Sequence, residues 1–249
     1  MAIYSIGDLH LSFAKPKPMD IFGDNWEKHE EKIEENWYKI VKNDDTVILP
    51  GDFSWAMNYE EVKPDFAYLN KLPGRKILIK GNHDYWWNTI TSMNNFLKDN
   101  NFENIEFIMN TAMLCENKII AGTRGWTFGE TDNSEKIIER ELRRLETSIK
   151  YGIENYGEDK EIICAVHYPP ITKMMIECGK NSPVLELLNK YSIKKCIYGH
   201  LHGKSHSEAI EGIVQGIDLK LVSSDYLDFK LYKCYTKTAD YQKKSDNKE

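Results

Sequence analysis

Five short apolar runs in this chain end in the same kinds of residue, and that repetition constrains the fold more than any other feature. Ile3-Tyr4-Ser5-Ile6 leads into Gly7-Asp8-Leu9-His10, and Val47-Ile48-Leu49-Pro50 leads into Gly51-Asp52. Lys76-Ile77-Leu78-Ile79 leads, through Lys80, into Gly81-Asn82-His83-Asp84. Ile162-Ile163-Cys164-Ala165-Val166 ends at His167, and Cys196-Ile197-Tyr198 ends at Gly199-His200-Leu201-His202-Gly203. Short apolar runs punctuated by glycine read as buried strands. Asp, Asn and His are poor core residues, but they ligate hard or borderline cations and move protons. Each fragment alone is ordinary turn chemistry. Together they hold five of the seven histidines, and one site along a single sheet edge is the economical explanation. Open α/β sheets bind ligands beyond the carboxyl ends of their strands.

Helical periodicity fills the gaps between these runs. It predicts a helix from a cap at Asp24 or Asn25 to about Lys42, with Ile33, Trp37, Ile40 and Val41 on one face. Further helices are expected over roughly Glu60–Asn70, Asn88–Lys98, Ser134–Tyr151 and Pro183–Tyr191. From Ile105 the pattern changes to short strands, with hairpins expected over 105–121 and 212–235. The expected fold is α/β: a four-layer α/β/β/α sandwich of two mixed β-sheets with flanking helices.

At 249 residues the chain suits one domain, expected over 1–235, followed by a polar tail over 236–249. A net charge of −6 argues against nonspecific nucleic-acid binding. No apolar run approaches the ~20 residues of a membrane span, and no signal peptide is evident. Five cysteines without a C-x-x-C pair point to a reduced, cytoplasmic protein without a thiolate metal site.

The order of the blocks, D-x-H, G-D, G-N-H-D, H and G-H-x-H, resembles the calcineurin-like metallophosphoesterases from Asp8 to His202. The resemblance implies a sandwich fold and two divalent or trivalent transition-metal ions, Mn, Fe or Zn. One ion would be held by Asp8, His10, Asp52 and His202, the other by Asp52, Asn82, His167 and His200, with Asp52 bridging. A metal-bridging hydroxide would attack phosphorus, His83 would protonate the leaving oxygen, and Asp84 would orient His83. Asp52 is followed by Phe-Ser-Trp and His83 by Asp84, a pattern unlike the family's protein phosphatases. A small-molecule or nucleotide phosphodiester or phosphomonoester is the expected substrate. The alternatives are a nuclease of the same family and a noncatalytic scaffold with this fold.

Arg124, in a Gly-rich loop with Trp126 and Phe128, and Tyr168 are candidate substrate contacts. Trp55, Trp86, Trp87 and Trp126 follow site loops, and packing beneath those loops is the favoured role. His206 is read as solvated or hydrogen-bonded, and His29 as a nonfunctional residue on a charged helix face.

Overall fold

A computed structural model of the chain describes residues 1–126 and 134–236. Chain order begins β1 (Ala2–Ser5), α1 (His29–Ile40), β2 (Thr46–Pro50), α2 (Tyr59–Lys71), β3 (Arg75–Ile79), α3 (Ile90–Asp99) and β4 (Ile105–Phe107). It continues with β5 (Ala112–Cys115), β6 (Lys118–Thr123), α4 (Ser134–Tyr156), β7 (Glu161–Val166), α5 (Lys173–Glu177) and α6 (Pro183–Lys190). The remaining strands are β8 (Lys195–Tyr198), β9 (Gly212–Val214), β10 (Ile217–Leu221) and β11 (Tyr232–Thr236). One sheet has the order β11-β1-β2-β3-β4 and the other β5-β6-β7-β8-β10-β9. Inner neighbours pair in parallel, while β11, β5 and β9 pair antiparallel at the edges.

Alternation along the strands makes the layers, because successive side chains point to opposite faces. Val47, Leu49 and Leu78 pack in one buried cluster with Ile33, Trp37 and Phe66 of the helices. Their neighbours Ile48, Ile77 and Ile79 meet Ile120, Ile163, Ala165 and Ile197 between the two sheets. On the far side, Ile119, Cys164, Val166 and Cys196 pack with Leu145, Ile149, Leu185 and Leu188. Three apolar layers thus separate four structural ones, and both sheets end in loops at a common edge. Each fully buried Ile or Leu contributes roughly 1.5–3 kcal/mol.

Several elements differ from their sequence reading. Within residues 105–121 the expected hairpin forms between β5 and β6, but Ile105–Phe107 is not part of it, because β4 pairs with β3. Phe107 explains the split, because its ring packs against Phe66 and Trp87 beside the first sheet. In the same way β9 and β10 form a hairpin, but β11 returns to the first sheet beside β1. Asp24–Trp26 is a separate 3-10 turn, and Lys28 in a left-handed conformation (φ 53°) precedes α1. Ile40, at the end of α1, is exposed, whereas Ile33, Trp37 and Val41 are buried. The helix starting at Ser134 continues to Tyr156, and α5 was not anticipated. Thr236 closes β11, so the strand includes the first residue of the expected tail. Residues 237–249 and Phe128 lie outside the described residues.

Cys115, Cys164, Cys178, Cys196 and Cys234 are all free. Among the described residues no helix is long and apolar enough to cross a membrane. Lys76 is fully buried in β3, and its ammonium donates to the Leu72 carbonyl. Burial lowers its pKa to about 7. The unfolded chain therefore binds the extra proton more tightly, and stability falls as pH drops from about 10.5 to about 7. Thermal melts should show that slope in the native sequence and a flattened one in Lys76→Met.

Candidate active site

The loops after β1 and β2 are laced together by backbone bonds. Asp8 N donates to Gly51 O (2.9 Å), His10 N to Asp52 O (3.0 Å) and Leu11 N to Phe53 O (3.0 Å). Ser224 Oγ fixes the same turn by donating to the Asp8 carbonyl (2.7 Å). The lacing holds Asp8, His10 and Asp52 at φ 58°, 48° and 50°, and His200 sits at φ 77°. Left-handed backbone costs an ordinary L-residue roughly 1–2 kcal/mol and is retained where structure over-determines it, often at functional sites. Four of the seven expected metal ligands carry this strain. Gly81 and Gly199 supply the clearance, since a Cβ at Gly81 would collide with Asp52 and one at Gly199 with the Asp8 carboxylate.

The seven expected ligands come together. Asp8, His10 and His202 form one group of converging donor atoms, and Asp52, His167 and His200 form a second; within each group the atoms lie within 4.8 Å of one another. In the first, His202 Nε2 is 3.3 Å from Asp8 Oδ1 and 3.2 Å from His10 Nε2. In the second, Asn82 Oδ1 lies 2.6 Å from His167 Nε2 and 2.9 Å from His200 Nδ1, and the two ring nitrogens are 3.3 Å apart. Asp52 of the second group also approaches the first: its Oδ2 lies 3.8 Å from His10 Nε2 and 3.5 Å from His167 Nε2.

The donor chemistry fits a pair of cations. His167 Nδ1 faces the Pro50 carbonyl (3.1 Å) and His202 Nδ1 faces Asp225 (2.8 Å). Protons on those nitrogens leave both Nε2 lone pairs aimed into the centre, as ligating histidines are usually held. An amide oxygen, imidazole lone pairs and carboxylates that face one another repel unless positive charge lies among them. Nitrogen and oxygen donors without thiolate suit Mn²⁺, Fe or Zn²⁺.

The electrostatics show the same demand. Burial, then the charge of Asp8, pushes the Asp52 carboxyl up to about 8. Burial also acts upward on Asp8, but His202, His167 and His10 hold it below the usual carboxylate range. Burial lowers His10 and His167, and with His167's charge takes His200 to about 3. His202 is the exception: burial lowers it, but Asp8 and Asp225 raise it to about 10.

His83 stands at the rim, half-buried. Its backbone N–H donates to Asp52 Oδ1 (2.8 Å), and its ring lies 4.2 Å from the Trp55 ring and 5.7 Å from that of His10, centroid to centroid. Its Nδ1 has no hydrogen-bond partner among the described residues. Burial, then His167 and His202, lowers its pKa to about 4.

Asp84 does not orient His83, a correction to the sequence reading. Its buried carboxylate accepts from the backbone N–H groups of Asp52 (3.0 Å), Phe53 (3.0 Å), Ser54 (3.2 Å) and Gly81 (2.7 Å), and from Trp86 Nε1 (3.1 Å). Those bonds use both oxygens to tie two site loops together. Burial, then Asp52, raises its pKa to about 7.

The tryptophans divide. Trp86 is buried beneath the site, Trp55 stacks on His10 at 4.9 Å, and Trp126 packs against Tyr168 at 5.5 Å. Tyr168 is itself buried, with its ring 4.2 Å from that of the expected ligand His200. Arg124 follows β6, 3.9 Å from Glu141 and over the Trp126 ring at 5.0 Å. His29 is buried against Trp26 and Phe229, contrary to its expected exposed face.

Sequence reasoning missed Asp225. Its carboxylate accepts from His202 Nδ1 (2.8 Å) and the Gly203 backbone N–H (3.0 Å), and lies 3.1 Å from His206 Nε2. Like the expected ligands, it follows a strand, β10, but without the glycine that marked most of the others. Asp225→Asn should weaken metal binding at the Asp8–His10–His202 group by ~10–100-fold, measurable by metal titration, while the Asp52–His167–His200 group is less affected.

A sequence profile described as calcineurin-like phosphoesterase matches residues 1–204. The chain belongs to this family. Calcineurin-like phosphoesterases use divalent metals, and the two converging groups are candidate sites for them. The Gene 66 protein of Mycobacterium phage L5 is 32% identical over 77 residues, covering 31% of this chain and 37% of the phage protein. The match thus spans little more than a third of that relative. The fold resembles that of phosphopantetheinyl hydrolase from Mycobacterium tuberculosis, with a TM-score of 0.53 at 12% identity, covering 95% of this chain and 98% of that one. It also resembles TT1561 of Thermus thermophilus, with a TM-score of 0.56 at 13% identity, covering 93% and 96%.

Proposed function

We propose that this calcineurin-like phosphoesterase hydrolyses a small-molecule phosphodiester or phosphomonoester, a nucleotide included, at a dinuclear centre bridged by Asp52. The observation that carries the reading is the approach of Asp52 Oδ2 to donors of both converging groups, His10 of one and His167 of the other. Asp8, His10, Asp52 and His202 would hold one ion, and Asp52, Asn82, His167 and His200 the other. When bound, the pair supplies Lewis acidity toward a phosphoryl oxygen and lowers the pKa of coordinated water.

The residues around that pair have separable tasks. Asp225 and the Pro50 carbonyl orient His202 and His167. Asp84 holds the β2 and β3 loops in register, so that Asp52 and Asn82 face one another. Trp55 stacks on His10 and flanks His83, which excludes water from one side. His83 carries the proton to the departing oxygen, and a substrate phosphate's negative charge counteracts the neighbours that lower its pKa.

The test is a panel of phosphomonoesters, phosphodiesters and single-stranded DNA, assayed with Mn²⁺, Ni²⁺, Zn²⁺ or Fe²⁺. The expected result is metal-dependent hydrolysis of a nitrophenyl diester that chelation abolishes. Folded protein inactive with every ion and substrate would refute the proposal and favour the scaffold reading.

A further inference from the structure

Beside the metal ligands lies a cleft of about 280 Å³ that the mechanism above does not use. Lys80 at the end of β3, Arg124 after β6, and Arg140 and Arg144 of α4 line it, together with Glu141 and Trp87. Glu141 is a buried keystone. It accepts from Thr123 Oγ1 (2.9 Å) and Arg144 Nη1 (2.7 Å), and its carboxylate is 3.5 Å from Arg140 and 3.9 Å from Arg124. Among the described residues lining the cleft, three arginines around one carboxylate together with Lys80 leave a local excess of positive charge, in a chain whose net charge is −6. Like charges held this closely oppose one another unless an anion lies among them. Arg124 Nε is buried without a hydrogen-bond partner among the described residues. Guanidinium groups fanned around a cleft are the usual means of gripping a phosphate.

The cleft adjoins the candidate centre through the backbone. Lys80 lies two residues from Asn82, a Cα separation of at most ~7 Å. The Arg124 carbonyl accepts from the His167 N–H at 3.1 Å. We propose that the cleft is a second anion subsite, which grips a further phosphate on the same small molecule whose phosphoester lies over Asp52. The assignment rests on the proposed function for the position of the scissile group. It narrows the substrate class to small molecules that carry a second phosphate near the scissile phosphoester.

Calorimetric titration of the Mn²⁺-loaded protein with adenosine 3′,5′-bisphosphate and adenosine 5′-monophosphate tests the subsite without requiring turnover. The bisphosphate should bind ten-fold or more tightly, as an added charge-assisted contact predicts. That margin should collapse in the Lys80→Met/Arg140→Gln double variant and survive in Lys80→Arg, with thermal melts confirming that both fold. Equal affinity for the two nucleotides, or a margin that persists in the double variant, would overturn the subsite. Tighter binding of a short single-stranded oligonucleotide than of the bisphosphate would overturn the small-molecule assignment. A bisphosphate margin in protein that hydrolyses no phosphoester would uphold the subsite and refute only the catalytic reading.

Discussion

Asp52→Asn is expected to reduce phosphoester hydrolysis by at least ~10³-fold, because on the proposed reading it removes the carboxylate that would join both ions, and several kcal/mol of transition-state stabilisation with it. Steady-state kinetics with parallel metal analysis would show lower metal content together with the lost rate. A second readout separates this from misfolding. Without metal, the buried Asp52 carboxyl has its pKa raised from 3.8 to about 8, so the folded state holds the proton more tightly than the unfolded chain. The stability contributed by that protonated carboxyl is complete below pH 3.8 and drains away as pH rises toward 8. An amide at this position does not ionise. Metal-free Asp52→Asn should therefore melt above the metal-free native protein at pH 8, with the gap closing near pH 4. A variant that melted lower at pH 8 would show that the carboxylate's hydrogen bonds outweigh the cost of its burial.

His83→Ala is expected to divide chemistry from metal binding. Loss of a general acid costs ~10²–10⁴-fold, with the full loss on alkyl leaving groups and a much smaller one on nitrophenolate, which departs without a proton. Metal content should not change, because the His83 imidazole belongs to neither converging group. Equal losses on both leaving groups would assign His83 to substrate positioning instead of proton transfer. Asp84→Asn should behave differently again. Its carboxylate accepts backbone bonds from both site loops, so its loss should lower stability and metal affinity together, without leaving-group dependence.

The converging donors were legible in the sequence because most of them obey a simple rule: an apolar run, a glycine where the backbone must pass close to a carboxylate, then a donor. Gly81 and Gly199 show why the glycine is there, since any side chain at either would collide with Asp52 or Asp8. The layers were legible too, because the apolar alternation of Val47, Ile48 and Leu49 carries through to two faces. What sequence could not give was partner choice. Asp84 adjoins His83 in the chain, which suggested a pair, yet its carboxylate turns inward to five N–H groups. Asp225 carries no glycine signal, and its function depends on a loop from another strand. Edge-strand membership failed for a similar reason: β4 and β11 are local in sequence to the second sheet, but long-range aromatic packing and β1 pairing draw them to the first. The left-handed backbone at Asp8, His10, Asp52 and His200 is equally invisible in residue identity.

The most direct test of the central claim is anomalous diffraction from crystals of Mn²⁺-loaded protein. The account predicts two peaks: one among Asp8, His10 and His202, the other among Asn82, His167 and His200, with an Asp52 oxygen ligating both. A single peak, or two peaks that Asp52 does not join, would contradict it.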